Sequence, residues 1–176
     1  MITVVKRNGN RVPLDIAKIQ RQVAHACRGI DGVSPSMVEI KAQIELHDGM
    51  TTETIDELLL KAMVDLIDET ENPEINNVNY QHVAGRQKVS MLRKEVYGDY
   101  TPPRLYEIVK KNISLGMYTE ELLSWYSEEE WNIIDLFIDH DKDEDYTYAA
   151  IAQLGEKYLV QNRATGQIYE TPQVRY

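Results

Sequence analysis

One cysteine in 176 residues, Cys27, excludes a disulfide framework, a cysteine-based zinc site and any dithiol redox pair within this chain. No apolar stretch approaches the length of a membrane span, and the N-terminus carries no signal-like apolar run, so the expected compartment is the cytoplasm. Positive charge is also scarce. Nineteen Lys/Arg against 29 Asp/Glu give a net charge of −10, which argues against general DNA or RNA binding, where phosphate neutralisation supplies most of the affinity. The four histidines show no metal-ligand spacing, and no internal repeat or low-complexity tract is present.

The cations that do exist are concentrated. Residues 1–28 hold six Lys/Arg and one acid, a net of +5, while the rest of the chain carries −15. A local positive field inside an acidic protein points to a small anion, with a phosphate-bearing metabolite as first candidate. Asn8-Gly9 sits between two β-prone runs and predicts a type I′ hairpin over residues 2–14. Asp15 then suits a helix cap, with Ile16, Ile19, Val23 and Cys27 as a buried stripe ending near Gly29. Ser34-Pro35 opens a second helix carrying Met37, Val38, Ile40, Ile44 and Leu46, and Asp48-Gly49 breaks it. Thr51 or Thr52 caps a third helix through Ile67, residues 69–79 form an exposed connection, and a fourth helix spans about 80–97.

Gly98 to Pro103 marks a boundary, giving domains 1–97 and 98–176. Both tryptophans and most tyrosines lie beyond it. Helices are expected at 103–115, 119–126 and 127–138, capped by Pro103, Thr119 and Ser127, with another from near Asp145. Residues 158–162 and 167–170 flank a glycine turn and predict a C-terminal hairpin. The fold class is therefore mainly α, a β-hairpin covering a four-helix bundle, followed by a small helical domain ending in a second hairpin.

For an anion site the candidates are Lys6, Arg7, Lys18, Arg21 and Lys94, with the Thr52 hydroxyl at a helix start where backbone N–H groups and the dipole favour negative charge. The alternative is that these are solvated surface cations. The run Asp139 to Asp145 alternates aspartates as an EF-hand loop does. Its sixth position is Glu144 where glycine is needed and its twelfth is Ala150 where a bidentate Glu belongs, so it reads as an acidic cap.

With these residues in view, the chain resembles the N-terminal portion of the large subunit of class I ribonucleoside-diphosphate reductases. Val5-Lys6-Arg7-Asn8-Gly9 with Lys18-Ile19, Asp48-Gly49-Met50-Thr51-Thr52, Tyr80 to Arg86 and Leu92 to Gly98 resemble the ATP-cone, the family's allosteric activity domain. Phe137 to Asp143 and Lys157 to Asn162, followed by Thr171-Pro172-Gln173, resemble the helical segment leading into the reductase barrel. The resemblance implies an ATP or dATP effector, with Mg2+ accompanying the phosphates and no redox cofactor in this chain. Lys6, Arg7, Thr52 and Lys94 would hold phosphates, Lys18 would approach ribose or phosphates, and Val5, Asp15, Ile19 and Ile55 would line base and sugar. The implied partners are the barrel part of the large subunit and the radical-generating small subunit, with no nucleic acid and no membrane.

Three positions depart from that pattern. Val12 stands where some members carry a glutamate, Asp56 where some carry a histidine, and Ser90 replaces an aromatic. A carboxylate at Asp56 close to phosphates would cost roughly several tenths to a few kcal/mol, so weakened or poorly discriminating ATP and dATP binding is expected. The barrel and its catalytic cysteines are not in this sequence, so this polypeptide alone would not reduce a ribonucleotide. It reads as a truncated piece, a remnant, or one half of a split reductase completed by a separate barrel chain. A degenerate cone serving as a structural or docking domain is the competing reading.

Overall fold

The N-terminal hairpin does not use the expected type I′ turn: Arg7 and Asn8 are the central residues, the Gly9 N–H donates to the Lys6 carbonyl at 2.8 Å, and Gly9 alone takes the left-handed conformation, at φ +82°, which costs glycine nothing. In this computed structural model, which describes residues 2–43, 45–68 and 77–175, the hairpin consists of β1 (Thr3–Val5) and β2 (Arg11–Pro13), paired antiparallel with Val4 opposite Val12. A third strand, β3 (Met50–Thr51), lies parallel to β1 on its other edge, with Val4 opposite Met50 and Val5 opposite Thr51. Two residues are too few for a periodic signal, which is why the sequence reading does not anticipate it. Asp48 holds this edge in place. Its carboxylate accepts from the Thr3 N–H at 2.7 Å and the Thr3 hydroxyl at 2.8 Å, and these bonds draw its pKa below the ordinary aspartate value.

Helices follow the caps the sequence offers. The Asp15 carboxylate accepts the Lys18 N–H at 3.1 Å and starts α1 (Ile16–Cys27), which ends at Gly29 with φ +67°. Arg86 closes that end by donating to the carbonyls of Ala26 at 3.2 Å and Arg28 at 2.6 Å. Then come α2 (Pro35–Gln43) and α3 (Thr52–Asp68). The Thr51 hydroxyl accepts from the Thr54 N–H at 3.1 Å, so Thr51 is the cap and Thr52 the first helical residue. A 3-10 turn (Asn77–Asn79) leads into α4 (Tyr80–Tyr97). Ile44 and most of the expected 69–79 connection lie outside the described residues.

Two compact units emerge, Met1–Lys88 with Thr147–Ala149, and Val89–Tyr146 with Ala150–Tyr176. The core of the first joins sheet and helices through Val4, Met50, Val23, Val38, Leu59, Met63, Tyr80 and Val83. The second unit contains α5 (Leu105–Ser114), α6 (Leu122–Trp125), α7 (Glu128–Asp135), most of α8 (Tyr148–Lys157), and α9 (Pro172–Arg175). Its two apolar clusters form around Val89, Leu92, Ile151 and Leu159, and around Leu105, Val109 and Trp131.

Several expectations are corrected here. The Arg104 backbone, not Pro103, takes the cap position of α5, and α6 shrinks to four residues. Asp139 caps a 3-10 helix over His140–Asp145 by accepting the Asp141 N–H at 3.1 Å, which delays α8 to Tyr148. The C-terminal hairpin is also absent. Only an isolated bridge joins Gln161 to Ile168. Glu170 accepts the Val160 N–H at 2.9 Å, which would otherwise extend the pairing, while the Ile168 N–H faces away from the Gln161 strand and donates to Glu95 at 3.2 Å.

Candidate functional site

Strand register positions the first candidates. Because Val5 lies opposite Thr51, the next residues on each chain, Lys6 and Thr52, leave the sheet side by side where α3 begins. Arg7 verifies this placement, since its Nε lies 2.8 Å from Glu53 Oε1 in the first turn of α3. Two cations therefore flank the N-terminus of a 17-residue helix, whose unpaired N–H groups favour an anion. Arg7 is already held by a carboxylate there, and that ion pair is only partly shielded, with the two side chains 38% and 56% exposed.

Behind the cations lies a polar node that joins three helices. Gln22 of α1 donates its amide to Asp56 Oδ1 at 2.9 Å and to Gln87 Oε1 at 3.0 Å. Gln87 of α4 donates in turn to the Asp56 carbonyl at 3.2 Å. Asp56 and Gln87 are buried, and buried polar groups must be satisfied in this way. Lys18 stands four residues before Gln22, and Thr52 four before Asp56. Each thus shares a helix face with its node partner, one turn nearer the helix start. Asp56 does not project an unpartnered carboxylate.

An apolar cavity of about 300 Å3 opens among α1, α2 and α3, walled by Leu14, Ile19, Leu46, Ile55, Leu58 and Leu59 among others. Of the four residues expected around base and sugar, Ile19 and Ile55 line it. Val5 is half-buried in the sheet, and Asp15 is exposed at the start of α1, 3.7 Å from Arg21. Val12 packs against the core. Lys94 and Ser90 belong to the second unit. There the Lys94 ammonium lies 3.0 Å from the Tyr100 hydroxyl and 4.7 Å from the centre of its ring.

The sequence reading missed Gln22 and Gln87, although the helical spacings Lys18–Gln22 and Thr52–Asp56 could have suggested that a partner was needed. Burial pushes the Cys27 thiol up to about 11, so this cysteine is protonated at neutral pH and offers no thiolate. Among the described residues there is no cluster of three or more His, Cys, Asp or Glu able to hold a metal, and no helix long and apolar enough to cross a membrane.

Fold and site together define a helical domain, capped by a small sheet, with a cation-bearing edge and an apolar cavity. The chain belongs to the ATP-cone family: the profile described as the ATP cone domain matches residues 2–95. Over nearly its whole length the chain is similar to ribonucleoside-diphosphate reductase alpha subunits. It is 43% identical over 175 residues, 99% of this chain, to the subunit alpha of Haemophilus influenzae. Identity to the reductase 1 subunit alpha of Escherichia coli K12 is likewise 43% over 175 residues and 99% of this chain, and to the phage T4 subunit alpha 38% over 176 residues and all of it. The chain spans about 22% of the length of each of these relatives.

Proposed function

We propose that the first unit binds ATP or dATP as an allosteric effector of a ribonucleoside-diphosphate reductase alpha polypeptide, acting through binding energy and not through chemistry of its own. The observation that supports this most directly is the strand register that sets Lys6 and Arg7 beside Thr52 at the start of α3, in a domain that matches the ATP cone. Lys6, Arg7 and Lys18 supply charge for the phosphates, and the Thr52 hydroxyl with the first N–H groups of α3 supplies directional donors. Ile19 and Ile55 offer an apolar wall for the base, with Val5 and Asp15 at its margins. Mg2+ would accompany the phosphates and reduce their mutual repulsion. Lys94, for which the resemblance implies a phosphate role, already has Tyr100 as its partner.

The wider reading places this chain with the barrel portion of the alpha polypeptide and a radical-generating small subunit, in the cytoplasm, with the domain boundary near residue 97. Regulation requires that ATP and dATP favour different packings, since a ligand shifts an equilibrium only by its differential affinity. The partly buried hydrogen bond from Gln22 to Asp56 limits the repulsion that this carboxylate would otherwise exert on phosphates. A second reading, a cone that docks without nucleotide, is favoured by the Arg7–Glu53 pair, which engages one of the phosphate cations.

Calorimetric titration of this chain with ATP and dATP, followed by a size measurement with each, separates the two. Lys6→Glu should weaken ATP binding at least about tenfold, or ~1.4 kcal/mol, without changing the melting temperature. Unchanged ATP binding in that variant would remove Lys6 from the phosphate site, and no binding by the unmodified chain would leave the docking reading.

A further inference from the structure

The apolar cavity of the first unit has, among the described residues, three polar side chains on its lining: Gln20 of α1, and Glu39 and Gln43 of α2. The rest of the wall is apolar, and a volume of about 300 Å3 is at the lower end for small-molecule pockets. Such pockets hold a ligand by apolar contact and select it through a few polar groups. Glu39 and Gln43 stand four residues apart, so α2 presents both on one face. An ionised carboxylate only accepts hydrogen bonds, so it selects a ligand edge that carries an N–H. A glutamine amide can serve a donor or an acceptor beside it.

Other carboxylates of the unit are already engaged. Asp15 accepts the Lys18 N–H and lies 3.7 Å from Arg21, Glu53 holds Arg7, and Asp56 accepts the Gln22 amide. None of these three lines the cavity. Glu39 does, half-buried, and no hydrogen bond or ion pair engages it among the described residues. Ile19 directly follows Lys18, and Ile55 follows Thr52 by three residues, so the cavity begins where the phosphate candidates end. A nucleotide with its phosphates at the start of α3 therefore turns its base toward α2. We propose that Glu39, with Gln43 beside it, reads that base. The carboxylate accepts from an exocyclic amino group and the amide donates to the neighbouring ring nitrogen, the edge that adenine presents. This inference deepens the nucleotide reading of the first unit and rests on it.

The test titrates this chain with ATP and with purine ribonucleoside triphosphate, which keeps the ring and the phosphates and lacks only the amino group. The unmodified chain should bind ATP at least about tenfold more tightly than the analogue, the usual effect of losing a hydrogen bond to a charged group. Glu39→Ala should weaken ATP about tenfold and leave the analogue within about twofold, which erases the preference. Glu39→Gln, which keeps the size of the side chain and one acceptor oxygen, should keep the melting temperature and part of the preference. A preference unchanged in both variants would overturn the proposal. Lys6→Glu keeps the two readings apart, because it should weaken both ligands alike and preserve their ratio. Sensitivity to Lys6→Glu with none to Glu39 sinks only the base-reading role. No binding of either nucleotide by the unmodified chain sinks the effector reading, and this inference with it.

Discussion

The two units use charge in opposite ways. In the first, cations sit at the edge of the sheet, and the buried Asp56 carboxylate is met by the neutral amide of Gln22 beside Gln87. In the second, several ionisable groups are buried together. Asp143 is fully buried, Glu170 is 3% exposed, and Arg93 is buried beside Glu144, with 3.5 Å between Nη1 and Oε1. Charge at an edge can still meet a ligand. Buried charge has given that up to define one packing, and losing a partner there costs far more than losing an exposed one.

The sharpest break of this comparison is Glu170→Ala. Glu170 accepts from the Tyr118 hydroxyl at 2.5 Å and the Val160 N–H at 2.9 Å, and lies 3.8 Å from Arg175. Removing it strands these groups and should cost about 3 kcal/mol of stability, seen as a lower midpoint in denaturant, while ATP affinity stays the same. Equal losses of stability and ATP affinity would show that the two units do not divide the labour as described.

Acidity should separate the units as well. Desolvation raises the Asp143 carboxyl to about 6 from an ordinary value of 3.8, and the nearby Arg93 and Gln173 offset this only in part. A carboxyl whose folded pKa is raised binds its proton more tightly when folded. Its favourable contribution is therefore complete below about pH 4 and is lost as pH rises through about 6. Near-ultraviolet signals of Trp131 should report a melting temperature that rises between pH 7 and pH 5, and Asp143→Asn should flatten that slope. An unchanged slope in the variant would assign the effect to another group.

A smaller lesion tests the node of the first unit. Gln22→Ala leaves Asp56 Oδ1 without the amide that it accepts from, and should cost about 1–2 kcal/mol of stability. If the freed carboxylate then faces the phosphates, ATP affinity should fall as well, and high salt should reduce that loss. A stability loss with unchanged ATP affinity would place Asp56 away from the phosphates.

How much of this was legible depended on range. Asp15, Gly9, Ser127 and the inner part of the stripe along α1, Val23 and Cys27, act within a few residues of themselves, and the sequence displays them directly, whereas Ile16, expected in that buried stripe, is 59% exposed at the helix start. The gathering of Lys6, Arg7 and Thr52 could be named by resemblance, but its cause, the parallel pairing of Val4 and Val5 with the two-residue strand Met50–Thr51, has no local signal. Gln22, Asp56 and Gln87 meet across three helices for the same reason. The C-terminal hairpin failed in the other direction. Its turn was real, with Gly166 at φ +75°, but Glu170 outcompeted the strand for the Val160 N–H.

The finest adjustment of the comparison is Glu53→Gln. In the first unit an edge cation, Arg7, has acquired an anion, as if it belonged to an interior, yet more than a third of each side chain is exposed. Such a pair contributes about 0–1 kcal/mol, so neutralising Glu53 should leave the melting temperature nearly unchanged. It should also release Arg7 from that carboxylate and remove a negative charge from the helix start where phosphates would lie. ATP affinity should then rise by a factor of about two to five, corresponding to the same ~0.4–1 kcal/mol, and the gain should shrink in high salt. A fall in affinity would mean that Glu53 orients Arg7 for the ligand instead of competing with it, and the Arg7–Glu53 pair would no longer favour the docking reading.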